Sequence, residues 1–380
     1  MNIKMNNSID LLIVEDADDQ IKTIETSVDL FNRKNENISI IAHIKKNLED
    51  GLKAISTNDF DAAIVDLKLS SQSQEIEGNK IINEIMKRQR FPIVVWSGFS
   101  EDLDEEIENQ KSVFLKIYNK GVMVDVILNE IVELYNRLHN TPIMNVLGKT
   151  GLIDKKFNEI FWTHFTHSLS YWENLPPEDM EKTLLRYMSV HLSEYLTINQ
   201  DGEFEMFEKY SPAEFYIIPP ISNSLRTGDI VMHKDSKLHY LILTPSCDLV
   251  KRKENGKRKE NGKRKAENII MASLSVRSEC SASSDTMNNR VQNKVERYHY
   301  LPSYGIIAEM FIDFESIQSF KVNELENDQS LLADGPIKEC KFIRKATITP
   351  AFLRNIIARF SHFLSRQGQP EFNDPKNCIN

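Results

Sequence analysis

Carboxylates, a hydroxyl and an ammonium stand at the ends of short apolar runs in the N-terminal third of this 380-residue chain. The run FDAAIVDLKL carries four apolar residues straight into Asp66. LLIVEDADDQ ends in Glu15 and Asp16, PIVVWSG in Ser97, and VFLKIYNKG carries Lys116 and Lys120. Short apolar runs between polar flanks read as strands buried on both faces, as in a parallel sheet. Each feeds a helical pattern, so the expected fold is a doubly wound α/β sheet whose carboxyl edge gathers these side chains. Clustered carboxylates repel unless a hard divalent cation sits among them, and Mg2+ accepts carboxylates while keeping waters and phosphate oxygens as ligands. The lone Asp66 is then placed to accept a phosphoryl group. Phosphoryl transfer spreads negative charge over equatorial oxygens, which a metal and an ammonium would offset. The Ser97 hydroxyl can donate to a phosphate oxygen only when one is present, so a local charge change biases a two-state loop.

Glu15 and Asp16, then Asp66, Ser97 and Lys120, in that order and at about those spacings, resemble the receiver domain of two-component response regulators. The resemblance covers roughly residues 8–140 and implies a five-stranded flavodoxin-like domain. It implies that Asp66 takes its phosphoryl group from a histidine kinase or phosphotransfer protein. It also implies that Glu15, Asp16, Asp66 and the backbone carbonyl of Lys68 hold Mg2+, with Ser97 and Lys120 on the phosphate. Lys116 is the alternative to Lys120. Lys120 is preferred because the helical pattern VMVDVILNEIVELYNRL starts just after it, whereas Lys116 lies inside the apolar run. The chain departs from the family in the long polar loop KLSSQSQEIEG, in Gly98 after the hydroxyl, and in Gly121 where many receivers place proline. These departures bear on switch geometry and phosphate lifetime. A pseudo-receiver that keeps the sheet and never takes phosphate is the bland alternative.

The length calls for more than one domain. Three segments are expected: a receiver at 1–140, a linker with a helical hairpin at 141–200, and an α+β output domain at 201–380. The polar, Pro- and Gly-bearing joint HNTPIMNVLGKTG marks the first boundary. After it, Phe157, Ile160, Phe161, Phe165, Leu169 and Trp172 repeat at helical spacing, with Asp154 as an expected cap. Pro176 and Pro177 then open a second helix. His164 and His167 share a helical face, and a metal there lacks an acidic or cysteine partner at ligand spacing.

From about Ala213 the texture changes to strands, as in a small antiparallel barrel or curled sheet. AEFYIIPPI, TGDIVMH, LHYLILTPSCDL, ENIIMASLSV, HYLPSYG and MFIDFESIQSF read as strands, the last with an acidic turn from Asp313 to Glu315. The polar stretch from Ser273 to Val295 reads as a mobile loop. The basic low-complexity repeat at 251–265 has no apolar residue and cannot pack a core. TPAFLRNIIARFSHFLSRQG closes the pattern as a helix capped by Thr349, with Pro350 in its first turn and Gly368 at its end. Its Arg354, Arg359 and Arg366 are expected to form a solvated face or to meet an acidic partner or nucleic acid. Cys247 and Asp248 form a low-ranked candidate site, with His233, His239 or His299 as the base for a Cys247 nucleophile.

A net charge of -9 argues against a chain built mainly to coat nucleic acid. Four cysteines at unrelated spacings show no zinc signature and suit a reducing cytoplasm. No apolar run approaches a membrane span, so a cytoplasmic protein is expected. The leading reading is a phosphorelay response regulator whose receiver switches a C-terminal effector or interaction domain. Its partners would be the phosphodonor, an effector protein and, as a further option, a second copy. A receiver-gated hydrolase or nuclease is one alternative. A nucleic-acid-binding adaptor using the lysine-rich loop is another, less favoured because aromatics that could stack bases are missing there.

Overall fold

Five apolar runs pair side by side in one parallel sheet. They are β1 (Ser8–Val14), β2 (Ser39–Lys45), β3 (Ala62–Val65), β4 (Ile93–Ser97) and β5 (Leu115–Asn119), in the order β2-β1-β3-β4-β5. This is the flavodoxin-like doubly wound order, whose chain reversal lies between β1 and β3. The computed structural model describes residues 8–69, 75–148, 150–199, 201–205, 209–250, 265–325 and 340–366. The chain divides into two compact units, residues 1–205 and 206–380.

Alternating side chains of β1 feed two cores. Leu12 and Val14 pack with Ile81, Ile82 and Ile85 on one face of the sheet. Ile9, Leu11 and Ile13 pack with Ile24, Ile127 and Ile131 on the other. The crossovers supply α1 (Asp18–Lys34), α2 (Leu48–Thr57), α3 (Glu77–Arg88), α4 (Glu105–Glu108) and α5 (Val124–His139). α4 is a single turn of 4 residues, against 12 in α3 and 17 in α1.

Beyond α5 come α6 (Ile143–Leu147), α7 (Leu152–Ile160), a π turn at Phe161–Phe165, α8 (Leu169–Glu173) and α9 (Pro177–Tyr195). The expected helical pair is present, but its first member is broken into pieces. Gly151, not Asp154, holds the N-cap of α7, and Asp154 lies within its first turn.

The second unit is a seven-stranded antiparallel sheet in the order β10-β11-β9-β8-β7-β12-β6. Its elements are α10 (Pro212–Phe215), β6 (Tyr216–Ile217), β7 (Asp229–His233), β8 (His239–Ile242), α11 (Ser246–Leu249), β9 (Asn268–Val276) and α12 (Ser284–Val291). They continue with β10 (Tyr298–Leu301), β11 (Met310–Lys321), α13 (Val322–Leu325), β12 (Phe342–Ile348) and α14 (Pro350–Ser365). Ile230, Leu241, Ile312 and Phe314 pack against Ile356 of α14. The sheet curls, in line with the expected small antiparallel architecture. Gly228 takes φ +88°, the left-handed turn conformation that admits the chain to β7.

Several local expectations need correction. Only Tyr216–Ile217 of AEFYIIPPI is strand, because a Ser211–Glu214 capping box winds the preceding residues into α10. The region from Ser273 to Val295 completes β9 and then forms α12, whose start Ser283 caps by accepting from the Thr286 N–H. The Asp313–Glu315 turn is a register shift inside one long strand, β11. There Asp313 accepts two hydrogen bonds from Arg297, at 2.8 and 2.7 Å. Thr349 sits at the N-cap of α14, but its hydroxyl donates to the Glu214 carbonyl. Arg359 donates to the carbonyls of Val295 and Tyr298, and Arg366 pairs with Glu296, so both serve the chain's own fold. Residues 251–264 of the basic repeat and Gly368 lie outside the described residues.

His299 generates a test of this unit. It is 5% exposed, with Nδ1 lacking a hydrogen-bond partner among the described residues. Burial, with the Arg359 charge adding to it, pushes its pKa down from 6.5 to about 4. The unfolded chain therefore binds a proton that the folded one refuses between those values, so stability falls as pH drops through that window. Chemical denaturation between pH 7 and pH 4 should show a loss of about 3 kcal/mol that is largely absent in His299→Gln.

Candidate functional site

The strand registers bring the site together. Val14 stands opposite Val65, Val65 opposite Val95, and Ser97 opposite Asn119, so β1 and β3 end level while β4 and β5 run two residues further over the same edge. The next residue out on β1, β3 and β5 is Glu15, Asp66 and Lys120. The Asp66 N–H donates to the Val14 carbonyl at 2.9 Å, and the Lys120 N–H to the Ser97 carbonyl at 3.3 Å, extending the pairing to the edge. Glu15 and Asp66 thus flank the point where the strand order reverses, the usual ligand position in such sheets.

The charges are tightly packed and mostly buried. Lys120 Nζ lies 2.8 Å from Asp66 Oδ2 and 2.8 Å from Glu15 Oε2, while the Glu15 and Asp66 side chains are 2% and 6% exposed. Burial raises the Glu15 carboxyl above its usual range, although the Lys120 bond opposes this. Burial disfavours the Lys120 ammonium in turn, yet its bonds to Asp66 and Glu15 outweigh that and hold its pKa above the ordinary value. Lys116 is occupied elsewhere, 2.7 Å from Glu130, which also accepts from the Tyr118 hydroxyl at 2.5 Å.

Ligand oxygens of Glu15, Asp16 and Asp66 all lie within 4.8 Å of one another, the one metal-capable cluster among the described residues. Asp66 Oδ1 is buried and accepts no hydrogen bond among the described residues. Three carboxylates around an unsatisfied oxygen fit a hard, oxygen-seeking divalent cation. Ser97 is fully buried, and its Oγ accepts from the Phe99 N–H at 3.2 Å. Lys68 extends its ammonium over the Phe99 ring, 3.7 Å from the centroid, and lies 3.9 Å from Asp102. Gly98 has open space where a side chain would stand.

Two residues here escape sequence reasoning. Gly78 donates its N–H to the Leu67 carbonyl at 2.9 Å. A Cβ on it would overlap the Asp66 carbonyl oxygen and sit 2.5 Å from Leu67 Cα. Asn79, 5% exposed, donates to the Asp102 carbonyl and accepts from the Asp104 N–H. A glycine and an amide near the start of a helical pattern invite attention, but nothing in their spacing reveals what they touch.

The other sequence candidates do not converge. Cys247 is exposed, and its one described hydrogen bond runs to neighbouring Asp248 at 3.7 Å. Asp248 lies 3.6 Å from Lys265. Among the described residues no hydrogen bond joins Cys247 to His233, His239 or His299. His164 Nε2 is 3.0 Å from the Tyr195 hydroxyl, and exposed His167 is 3.4 Å from Thr166 Oγ1, so neither meets a ligand set.

Comparison with known proteins finds no matching protein-family model and no matching curated protein. Solved structures of response regulator receiver domains do match the N-terminal part. One is the N-terminal domain of a response regulator/sensory box/GGDEF three-domain protein from Carboxydothermus hydrogenoformans. It is 22% identical, covers 34% of this chain and 96% of that one, and has a TM-score of 0.28. A CheY-like receiver domain from Methylobacillus flagellatus is 25% identical over 32% of this chain and 98% of that one, with a TM-score of 0.25. Another, from Methanospirillum hungatei, is 18% identical over 35% and 97%, with a TM-score of 0.28.

Two substitutions test the geometry. Gly78→Ala must push against the Asp66–Leu67 backbone, and urea unfolding should show a loss of about 1–3 kcal/mol. Lys120→Met leaves two buried carboxylates uncompensated and should cost about 3–5 kcal/mol in the presence of a chelator. Added Mg2+ should recover part of the Lys120→Met loss and none of the Gly78→Ala loss.

Proposed function

We propose that this chain is a response regulator: a receiver at 1–140 accepts a phosphoryl group on Asp66, and through a linker and hairpin at 141–200 it switches an output domain at 201–380. The observation that carries the reading is the meeting of Glu15, Asp66 and Lys120 at the reversal point of the sheet, with Asp66 Oδ1 left unsatisfied. Glu15, Asp16 and Asp66, with the Lys68 carbonyl, would hold Mg2+, which supplies positive charge for the oxygens of the incoming phosphoryl group.

The chain's own residues divide the remaining work. Lys120 holds a fixed ammonium 2.8 Å from Asp66 Oδ2; when Oδ1 bonds phosphorus, Oδ2 becomes a neutral carbonyl oxygen and the ammonium would offset the charge that the phosphoryl oxygens bring. Of the two Asp66 oxygens, Oδ2 is held by Lys120 and Oδ1 accepts no hydrogen bond among the described residues, so Oδ1 is the one open to attack a phosphorus. Ser97 Oγ now accepts from Phe99, and its own proton remains available to a phosphate oxygen. Rotation toward the phosphate would release the Phe99 N–H and move the loop after β4. The phosphodonor would be a histidine kinase or phosphotransfer protein, and the output would act on an effector protein. No helix among the described residues is long and apolar enough to cross a membrane.

Incubation with acetyl phosphate and Mg2+ tests the reading directly. Intact mass should rise by one phosphoryl group in the wild type, and peptide mapping should place it on Asp66. Asp66→Asn should stay unmodified. Equal labelling of both, or of neither, would defeat the proposal.

A further inference from the structure

The crossover from β4 to β5 carries little helix. α4 has 4 residues and buries only Ile107. Beside it lies an apolar trough of about 680 Å³, walled by Ile85, Met86, Phe91, Phe114, Leu115 and Leu138. The short helix after α5, α6, rests on this trough and contributes Ile143, Met144 and Leu147 to its lining. Arg90 Nη1 donates to the Leu147 carbonyl at 2.7 Å, tethering α6 from outside. The seat is shallow: Ile143 and Leu147 remain 44% and 42% exposed. A five-residue helix cannot sustain itself in water, so α6 owes its order to this seat.

The trough wall is linked to the Ser97 loop. Asn79 of α3 donates to the Asp102 carbonyl at 3.2 Å and accepts from the Asp104 N–H at 3.5 Å. The Asp104 carbonyl accepts the first α4 amides, from Ile107 at 3.0 Å and Glu108 at 2.9 Å. At the other end of the same loop, Ser97 Oγ holds the Phe99 N–H. The loop is therefore pinned at Phe99 by the candidate switch hydroxyl and at Asp102 to Asp104 by a buried amide. Its far end begins the helix that walls the trough.

We infer that α6 is a latch: it docks in the trough beside α4, Arg90 holds it shut, and Asn79 couples its seat to the loop governed by Ser97. The inference rests on the proposed phosphoryl-accepting role for its trigger, and on contacts already formed for its seat. When Ser97 turns to a phosphate, the Phe99 anchor is released, the loop shifts, and Asn79 transmits the shift to α4. The trough changes shape and α6 leaves it, loosening the connection between the receiver and the helical segment α7–α9. Such coupling requires an element with two arrangements and a contact that differs between them, and Asn79 supplies that contact.

Hydrogen exchange on the full chain separates the parts. With Mg2+ and beryllofluoride as phosphoryl mimic, residues 141–148 should exchange about threefold or more faster in the wild type, together with a change at 98–104. Arg90 is a surface side chain, and Arg90→Ala should speed exchange at 141–148 without the mimic, leaving 98–104 unaltered. Asn79→Ala should loosen 98–104 and abolish the response of 141–148 to the mimic. A response at 98–104 with none at 141–148 in the wild type would overturn the coupling. Unchanged exchange at 141–148 in Arg90→Ala would overturn the seat. A wild type unresponsive at both segments would defeat the phosphoryl-accepting reading instead, and Arg90→Ala would still decide the latch.

Discussion

Two carboxylates from neighbouring strands share one ammonium at the buried edge of a parallel sheet, and the architecture of the first unit serves that arrangement. Glu15 and Asp66 lie close together and deeply buried, each 2.8 Å from the Lys120 ammonium that offsets their charge. Lys120 reaches both because β4 and β5 run together past the end of β3, Val65 pairing with Val95 and Ser97 with Asn119. The backbone must also be fixed there. Gly78 allows α3 to press directly on the Asp66 carbonyl, and a methyl group would break that approach. The charge arrangement and the close packing are two aspects of one constraint: Asp66 has almost no freedom, so what binds it is felt by its neighbours.

The second unit is organised differently. One buried carboxylate is paired internally: Asp229, fully buried, accepts from the Thr347 hydroxyl at 2.6 Å and from the Arg226 N–H at 2.9 Å, with Arg344 3.3 Å away. Such closure suits a scaffold. The arginines of α14 likewise tie the helix to the turn before β10 and to Glu296. Around Cys247 the hydroxyls of Thr227 and Ser246 bond to each other at 3.0 Å, bracing the turn that presents the thiol. The braced turn leaves Cys247 exposed at the surface.

Much of the first unit is legible in the sequence because β3 and β4, buried on both faces, are uninterrupted apolar runs, and β1, β3, β4 and β5 each lead to a side chain able to do chemistry. The choice of Lys120 over Lys116 follows from where the apolar run stops, and the structure shows Lys116 spent on Glu130. What stays hidden is steric or local. α4 has too few residues for a helical period, and α12 lacks an apolar stripe and depends on a serine cap. The approach of Gly78 to Asp66 is a property of the folded backbone. Periodicity places Arg359 on α14 but cannot say that its guanidinium turns back to the chain's own carbonyls.

Glu15, Asp16 and Asp66 would form one cation-seeking cluster, in which Glu15 Oε2 is met by the Lys120 ion pair and Asp66 Oδ1 is left with no hydrogen bond among the described residues. Calorimetric titration of the full chain with Mg2+ addresses it most directly. The account predicts saturable binding at one site, weakened by Glu15→Gln and lost in Asp66→Asn. Binding indifferent to both substitutions, or no binding at millimolar Mg2+, would contradict it.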